Sequence, residues 1–141
     1  GDIEILKDGS PPKPLPEIGW SQVFFNQSKN DLSKFAEAPL YVLHWHGDRI
    51  LLPKDAELLA SSTRCKEQLF KIGDLAYGLQ FHIELSKEMT ERLINEDRLF
   101  INKGLGPKGQ AILREEDKQF RKKTILKRKL FINKLFNLLS Q

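Results

Sequence analysis

Along the chain the hydrophobic pattern changes character once. Up to Glu84 the apolar residues come in short runs or alternate with polar ones, while beyond it they recur about every 3.6 residues. Ile3-Glu4-Ile5-Leu6 predicts a short strand ending at the Asp8-Gly9-Ser10 turn. Pro11, Pro12, Pro14 and Pro16 fix the backbone and remove donors, so an extended connection follows. Ile18–Phe25, rich in aromatic and β-branched residues, predicts a second strand, and Asp31–Ala36 a short helical turn closed before Pro39. Leu40–Trp45 and Arg49–Leu52 predict strands on either side of a His46-Gly47-Asp48 turn. Leu58–Ser62 and Gln68–Ile72 add two more, and Gly73-Asp74 turns the chain into Ala76–Phe81, whose apolar run predicts a buried strand.

Ser86 is the expected N-cap of a helix that carries Met89, Leu93, Leu99 and Phe100 into a breaker at Asn102–Gly109. A second long helix is expected from Glu115 onward. At about 100° per residue, Phe120, Ile125, Phe131, Ile132, Leu135, Phe136, Leu138 and Leu139 fall within one broad face. Strands first and helices last would by order alone give an α+β domain. The same order also fits the rear portion of a larger α/β fold.

The 141 residues fit one domain, and 40% hydrophobic with 30% charged residues is an ordinary globular balance. No apolar run approaches the roughly 20 residues of a membrane span, so no membrane association is expected. Gly1-Asp2-Ile3-Glu4 lacks the features of a secretory signal. The single cysteine, Cys65, allows no internal disulfide, in keeping with a reducing, cytoplasmic setting. From residue 110 on there are nine Lys/Arg against three Asp/Glu, a net +6 that leaves −2 for residues 1–109. The run Arg121–Lys129 has only Phe120 and Phe131 beside it, both on the apolar face. It is read as a solvated helix face and not as a nucleic-acid clamp.

The densest chemistry lies in Tyr77-Gly78-Leu79-Gln80-Phe81-His82-Ile83-Glu84. A strand here delivers a His and a Glu two positions apart, so both project to one side. A carboxylate accepting from one imidazole nitrogen would fix the tautomer and leave the other nitrogen to take a proton from a nucleophile. On spacing alone a satisfied core histidine and a helix-entry acid is the commoner reading, since H-x-E is a frequent pattern. His44 and His46 raise a metal reading with His82 as third ligand, but two His at i, i+2 without a nearby Cys or acidic pair are a weak signal.

Gly78-Leu79-Gln80-Phe81-His82-Ile83-Glu84 resembles the G-x-Q-F-H-P-E signature of class I glutamine amidotransferases, with Ile83 in place of the usual Pro. Further blocks resemble the GMP synthase-like branch in the same order. They are Glu17-Ile18-Gly19-Trp20, His44-Trp45-His46-Gly47-Asp48 with Leu52-Pro53, and Leu59-Ala60-Ser61-Ser62 with Cys65, Gln68 and Phe70. The resemblance covers roughly residues 17–100. It implies an α/β, partial flavodoxin-like domain spanning residues 1–141, with a sheet-forming core over 1–103 and a C-terminal helical segment over 108–141.

The resemblance also implies glutamine as substrate, hydrolysed to glutamate and ammonia for transfer to an acceptor. His82 would be the general base, Glu84 its orienting partner, and His46, Gly47 and Asp48 the substrate-binding loop. No metal or organic cofactor is implied. The family's nucleophile, a cysteine in a G-x-C-x-G elbow, has no counterpart here, and Cys65 matches a different position, where it is expected to be a buried small hydrophobe. The chain is therefore expected to be the C-terminal part of such a domain, inactive alone, and to need the missing front half or to self-associate. An active-enzyme part, a non-catalytic interaction module and a nucleic-acid-binding protein remain the three functional classes.

Overall fold

The computed structural model describes residues 1–26 and 32–141. Its strands, in chain order, are β1 (Asp2–Ile5), β2 (Lys7–Asp8), β3 (Lys13–Pro14), β4 (Glu17–Phe25), β5 (Leu40–His46), β6 (Asp48–Leu51), β7 (Ala56–Ser61), β8 (Leu69–Ile72) and β9 (Ala76–Leu79). The helices α1 (Lys87–Glu96), α2 (Arg98–Leu105) and α3 (Gly109–Leu139) follow. Of the predicted 31–36 turn, Asp31 lies outside the described residues and Ser33–Phe35 forms a single 3-10 turn.

Five strands form one sheet in the order β5-β4-β7-β8-β9, and every pairing among the described residues is antiparallel. The sheet curls: past β9 the chain crosses to the opposite edge, where the His82 N–H donates to the Leu43 carbonyl at 2.8 Å. β5 and β6 do not pair with each other. β5 lies against β4, whereas β6 pairs with β1, so His46-Gly47-Asp48 joins two sheets and is not the tip of a hairpin. The 76–81 segment is a strand only to Leu79 and is partly exposed, because it is the last strand of its sheet. Gly78 matters there: a Cβ would sit 2.2 Å from Cζ of Phe70, so the ring lies directly on the backbone.

α1 starts where expected, with Ser86 Oγ accepting from the Met89 N–H at 3.1 Å. The break falls earlier, at Asp97, and Asn102–Leu105, read as a breaker, are helical. α2 ends at Gly106, whose φ of +79° an L side chain would strain, and α3 begins at Gly109 rather than Glu115.

The face α3 buries differs from the predicted one. Leu113, Asp117, Thr124, Arg128, Phe131 and Leu135 turn inward, while Phe136 is 63% exposed and Ile125 and Leu139 are also exposed. The inward polar side chains are accommodated by partners on the other layers. Asp117 holds Arg121 through a bidentate pair and accepts from Trp20 Nε1 at 3.2 Å. Arg121 also donates to the Leu85 carbonyl and Thr90 Oγ1, tying α3 to the start of α1, and Arg121 and Arg128 lie over the Trp20 ring. Lys127 donates to the Ala38 and Pro39 carbonyls. The basic run is thus not wholly a solvated face: three of its cations hold the fold together.

The main core lies between sheet and α3. Phe131, fully buried, packs its ring against Phe25 and Phe35 at centroid distances of 5.6 Å and against Phe81 at 6.0 Å. A second cluster joins Ile18 to Ile94, Ile101 and Leu113 beneath α1 and α2. Among the described residues no helix is long and apolar enough to cross a membrane.

Candidate active site

His82 reaches its position by three local devices. Phe81 is buried against Phe131 and anchors the segment from within. The Gln80 N–H donates to the Gln68 carbonyl at 2.9 Å, extending the β8 ladder one residue past β9. The bond from the His82 N–H to Leu43 then fixes the backbone against β5.

At that point His82 Nδ1 lies 2.7 Å from Glu84 Oε1, while Glu84 Oε2 accepts from the Ile83 N–H at 2.9 Å. The carboxylate therefore accepts on both oxygens. Burial pushes the Glu84 carboxyl up, but the hydrogen bonds from His82 and the backbone outweigh it and hold it below the usual range. With a carboxylate on its far side, Nδ1 carries the hydrogen and Nε2 presents a lone pair. Nε2 makes no hydrogen bond among the described residues, and the His82 side chain is one-third exposed. The pair can thus accept a proton from a group brought to Nε2 and stabilise the imidazolium that results.

His46, Gly47 and Asp48 come together on one wall of a cleft of about 640 Å³. Trp45, Gln80, Asp97, Phe100 and Lys103 line it further. His82 and Glu84 lie outside this lining, two and four residues past Gln80, whose side-chain amide donates to the Asp48 carbonyl at 3.3 Å. Gly47 has a packing reason: a Cβ there would stand 3.2 Å from Cε2 of Phe100, and its carbonyl accepts from the Leu6 N–H. The His46 side chain turns inward and is spent on the protein, with Nε2 3.1 Å from Glu17 Oε2 and Nδ1 2.9 Å from the Asp48 carbonyl.

Glu17 was not singled out for chemistry in the sequence, because it lies 29 residues before His46. The β4–β5 register sets the two directly opposite and places His44 opposite Gly19. Gln68 joins them, donating to Glu17 Oε2 at 2.8 Å and to Ser62 Oγ at 3.0 Å. The metal-ligand geometry among the described residues brings together Glu17, His44 and His46, and not His82. Cys65 is buried and free, and burial pushes its thiol up to about 11, the opposite of what a nucleophile needs.

No protein-family model matches the sequence. Over 87 residues the chain is 33% identical to the glutamine amidotransferase-like protein YfeJ of Salmonella typhimurium, a stretch covering 60% of this chain and 36% of that protein. Over 59 residues it is 39% identical to gamma-glutamyl peptidase 3 of Arabidopsis thaliana, covering 41% of this chain and 24% of that one. A glutamine amidotransferase structure from Thermotoga maritima superposes with a TM-score of 0.65 at 27% identity, over 94% of this chain and 55% of its own length. The chain thus spans about half the length of that structure and at most about a third of the curated relatives it matches. By fold along almost its whole length, and by sequence over 87 residues, the chain resembles the glutamine amidotransferases and carries their α/β fold.

Proposed function

We propose that this chain supplies the His–Glu half of a glutaminase site, hydrolysing glutamine to glutamate and ammonia for transfer to an acceptor. The observation that carries this reading is the 2.7 Å bond between His82 Nδ1 and Glu84 Oε1, which leaves Nε2 to face a nucleophile. In this account a thiol outside these 141 residues loses its proton to His82 Nε2 as its sulfur attacks the γ-carboxamide carbon. Glu84 stabilises the imidazolium. The same proton passes to the departing nitrogen as the carbon–nitrogen bond breaks, releasing ammonia and leaving a thioester. His82 next takes a proton from water, which attacks the thioester carbon; the carbon–sulfur bond breaks, glutamate is freed, and the departing sulfur takes that proton back from His82. The cleft wall of His46, Gly47 and Asp48 is where the substrate would be held, by backbone groups and the Asp48 carboxylate, since the His46 ring is committed to Glu17.

The chemistry requires a γ-glutamyl acyl group. A γ-glutamyl peptide presents the same carbon as glutamine, and one relative is named a gamma-glutamyl peptidase. A cytoplasmic setting accords with the lone, free thiol. The partner proposed is a front half carrying the cysteine elbow, or a second copy of the chain where none is present. A non-catalytic interaction module is the second reading, favoured by one observation: the chain's only thiol, Cys65, is sealed and raised to about 11. Incubation of the purified chain with glutamine tests the division of labour. Release of glutamate no greater than the blank is expected, and turnover abolished by Cys65→Ser would overturn the placement of the site.

A further inference from the structure

The Asp48 carbonyl can only accept, so His46 Nδ1, 2.9 Å from it, carries a hydrogen. In the neutral ring Nε2 is then a lone pair, yet it points at a carboxylate oxygen, Glu17 Oε2, 3.1 Å away. Two acceptors at that separation need a proton, on the ring or on the carboxyl, or a metal ion between them; the Gln68 amide nitrogen sits beside both, 2.8 Å from Glu17 Oε2 and 3.3 Å from His46 Nε2.

His44 separates the two cases. It is fully buried, with Glu17 Oε1 3.8 Å from Nδ1; the Ser21 backbone is within reach of the ring, but neither ring nitrogen makes a well-formed hydrogen bond among the described residues. A proton held between His46 and Glu17 would do nothing for this ring, whereas a shared metal ion would take one nitrogen of each histidine. One donor atom from each of Glu17, His44 and His46 lies within 4.8 Å of the others. Ligands about 2.0–2.1 Å from a four-coordinate zinc sit about 3.3 Å apart, so the longest separation in the site must contract by up to about 1.5 Å on binding.

Gln68 completes the picture. Its Nε2 lies 3.3 Å from His46 Nε2, while its Oε1 is buried without a hydrogen-bond partner among the described residues. Turning the amide over exchanges the two atoms and presents the oxygen as a fourth donor. The bond from His46 Nδ1 to a backbone carbonyl is the outer-shell contact that orients metal-bound imidazoles.

We propose that Glu17, His44 and His46 form a buried structural site for a divalent transition ion of the zinc class, clamping β4 to β5 behind the 46–48 wall of the cleft. Imidazole and carboxylate without thiolate suit such an ion better than calcium or magnesium.

The test uses the purified 141-residue chain, stripped with chelator, loaded with Zn(II) or Co(II), desalted and assayed by plasma mass spectrometry. One ion retained per chain is expected, with Co(II) giving the intense visible bands of a four-coordinate site. Glu17→Gln and His44→Asn should abolish retention, and Gln68→Leu, which removes the fourth donor, should weaken affinity. Should a variant fail to fold, nitrogen NMR of the imidazoles decides on the parent chain. Metal-induced shifts of His44 and His46 support the site. Overturning results would be no retained metal with both His46 nitrogens protonated, or retention unaffected by the Glu17 and His44 substitutions.

Discussion

Phe131→Ala is the perturbation that best separates the observed packing of α3 from the face read off its periodicity. Phe131 is fully buried and meets three rings, Phe25 and Phe35 at 5.6 Å and Phe81 at 6.0 Å. Removing a buried benzyl group removes its transfer free energy and leaves a cavity that three rings anchored in other elements cannot readily fill. The loss expected is about 3–5 kcal/mol, a large share of the roughly 5–15 kcal/mol that holds a domain folded. Phe136 belongs to the same predicted face but is 63% exposed, so Phe136→Ala should change stability by no more than about 0.5 kcal/mol. Urea unfolding of both variants, followed by circular dichroism, gives the comparison through the midpoints at constant slope. Equal losses at the two positions would refute the packing of α3. Phe81 immediately precedes His82, so Phe131→Ala should also lower hydrogen-exchange protection of the His82 amide before global unfolding.

Other positions follow from the same geometry. Gly78→Ala drives a methyl into Phe70, 2.2 Å from Cζ, and should cost about 1–3 kcal/mol by thermal unfolding; an unchanged midpoint would show that the ring moves freely. Gly19 combines a φ of +110° with a Cβ position 2.6 Å from Glu116 Oε2, so Gly19→Ala should also destabilise. Burial pushes the Glu116 carboxyl above its usual range although it accepts from the Trp20 N–H, so Glu116→Gln, which keeps an acceptor, should be at least as stable as the parent at pH 7. Glu84 is depressed in the fold, so its contribution is present above the ordinary carboxyl value of 4.5 and lost as pH falls through the lower native one. The stability difference between parent and Glu84→Gln should therefore narrow only below about pH 4.5.

What the sequence disclosed depended on how local the determinant was. Ser86 as an N-cap, the strand cores at 18–25 and 40–45, and the His82–Glu84 spacing are set within a few residues, and the structure has them. The α3 face was misread because hydrophobicity alone ranked Ile125, Phe136 and Leu139 above Thr124 and Arg128. Trp20 takes the guanidinium of Arg128 over its ring, so a polar residue faces inward there. The apolar run at 76–81 resembled a central strand, yet β9 ends the sheet and is only half-covered. Glu17 escaped notice because its partners His44 and His46 become neighbours only through the β4–β5 register, which no local pattern announces.

The central claim is that His82, held by Glu84, is the base of a glutaminase site. The most direct test combines this chain with a cysteine-bearing front half of an amidotransferase domain and measures glutamate released from glutamine. Activity is expected in the complex, falling by about 10²–10⁴-fold on His82→Ala, and less on Glu84→Gln, which keeps an acceptor for Nδ1 but not its charge. A soluble complex that turns over glutamine equally well with His82→Ala would contradict it.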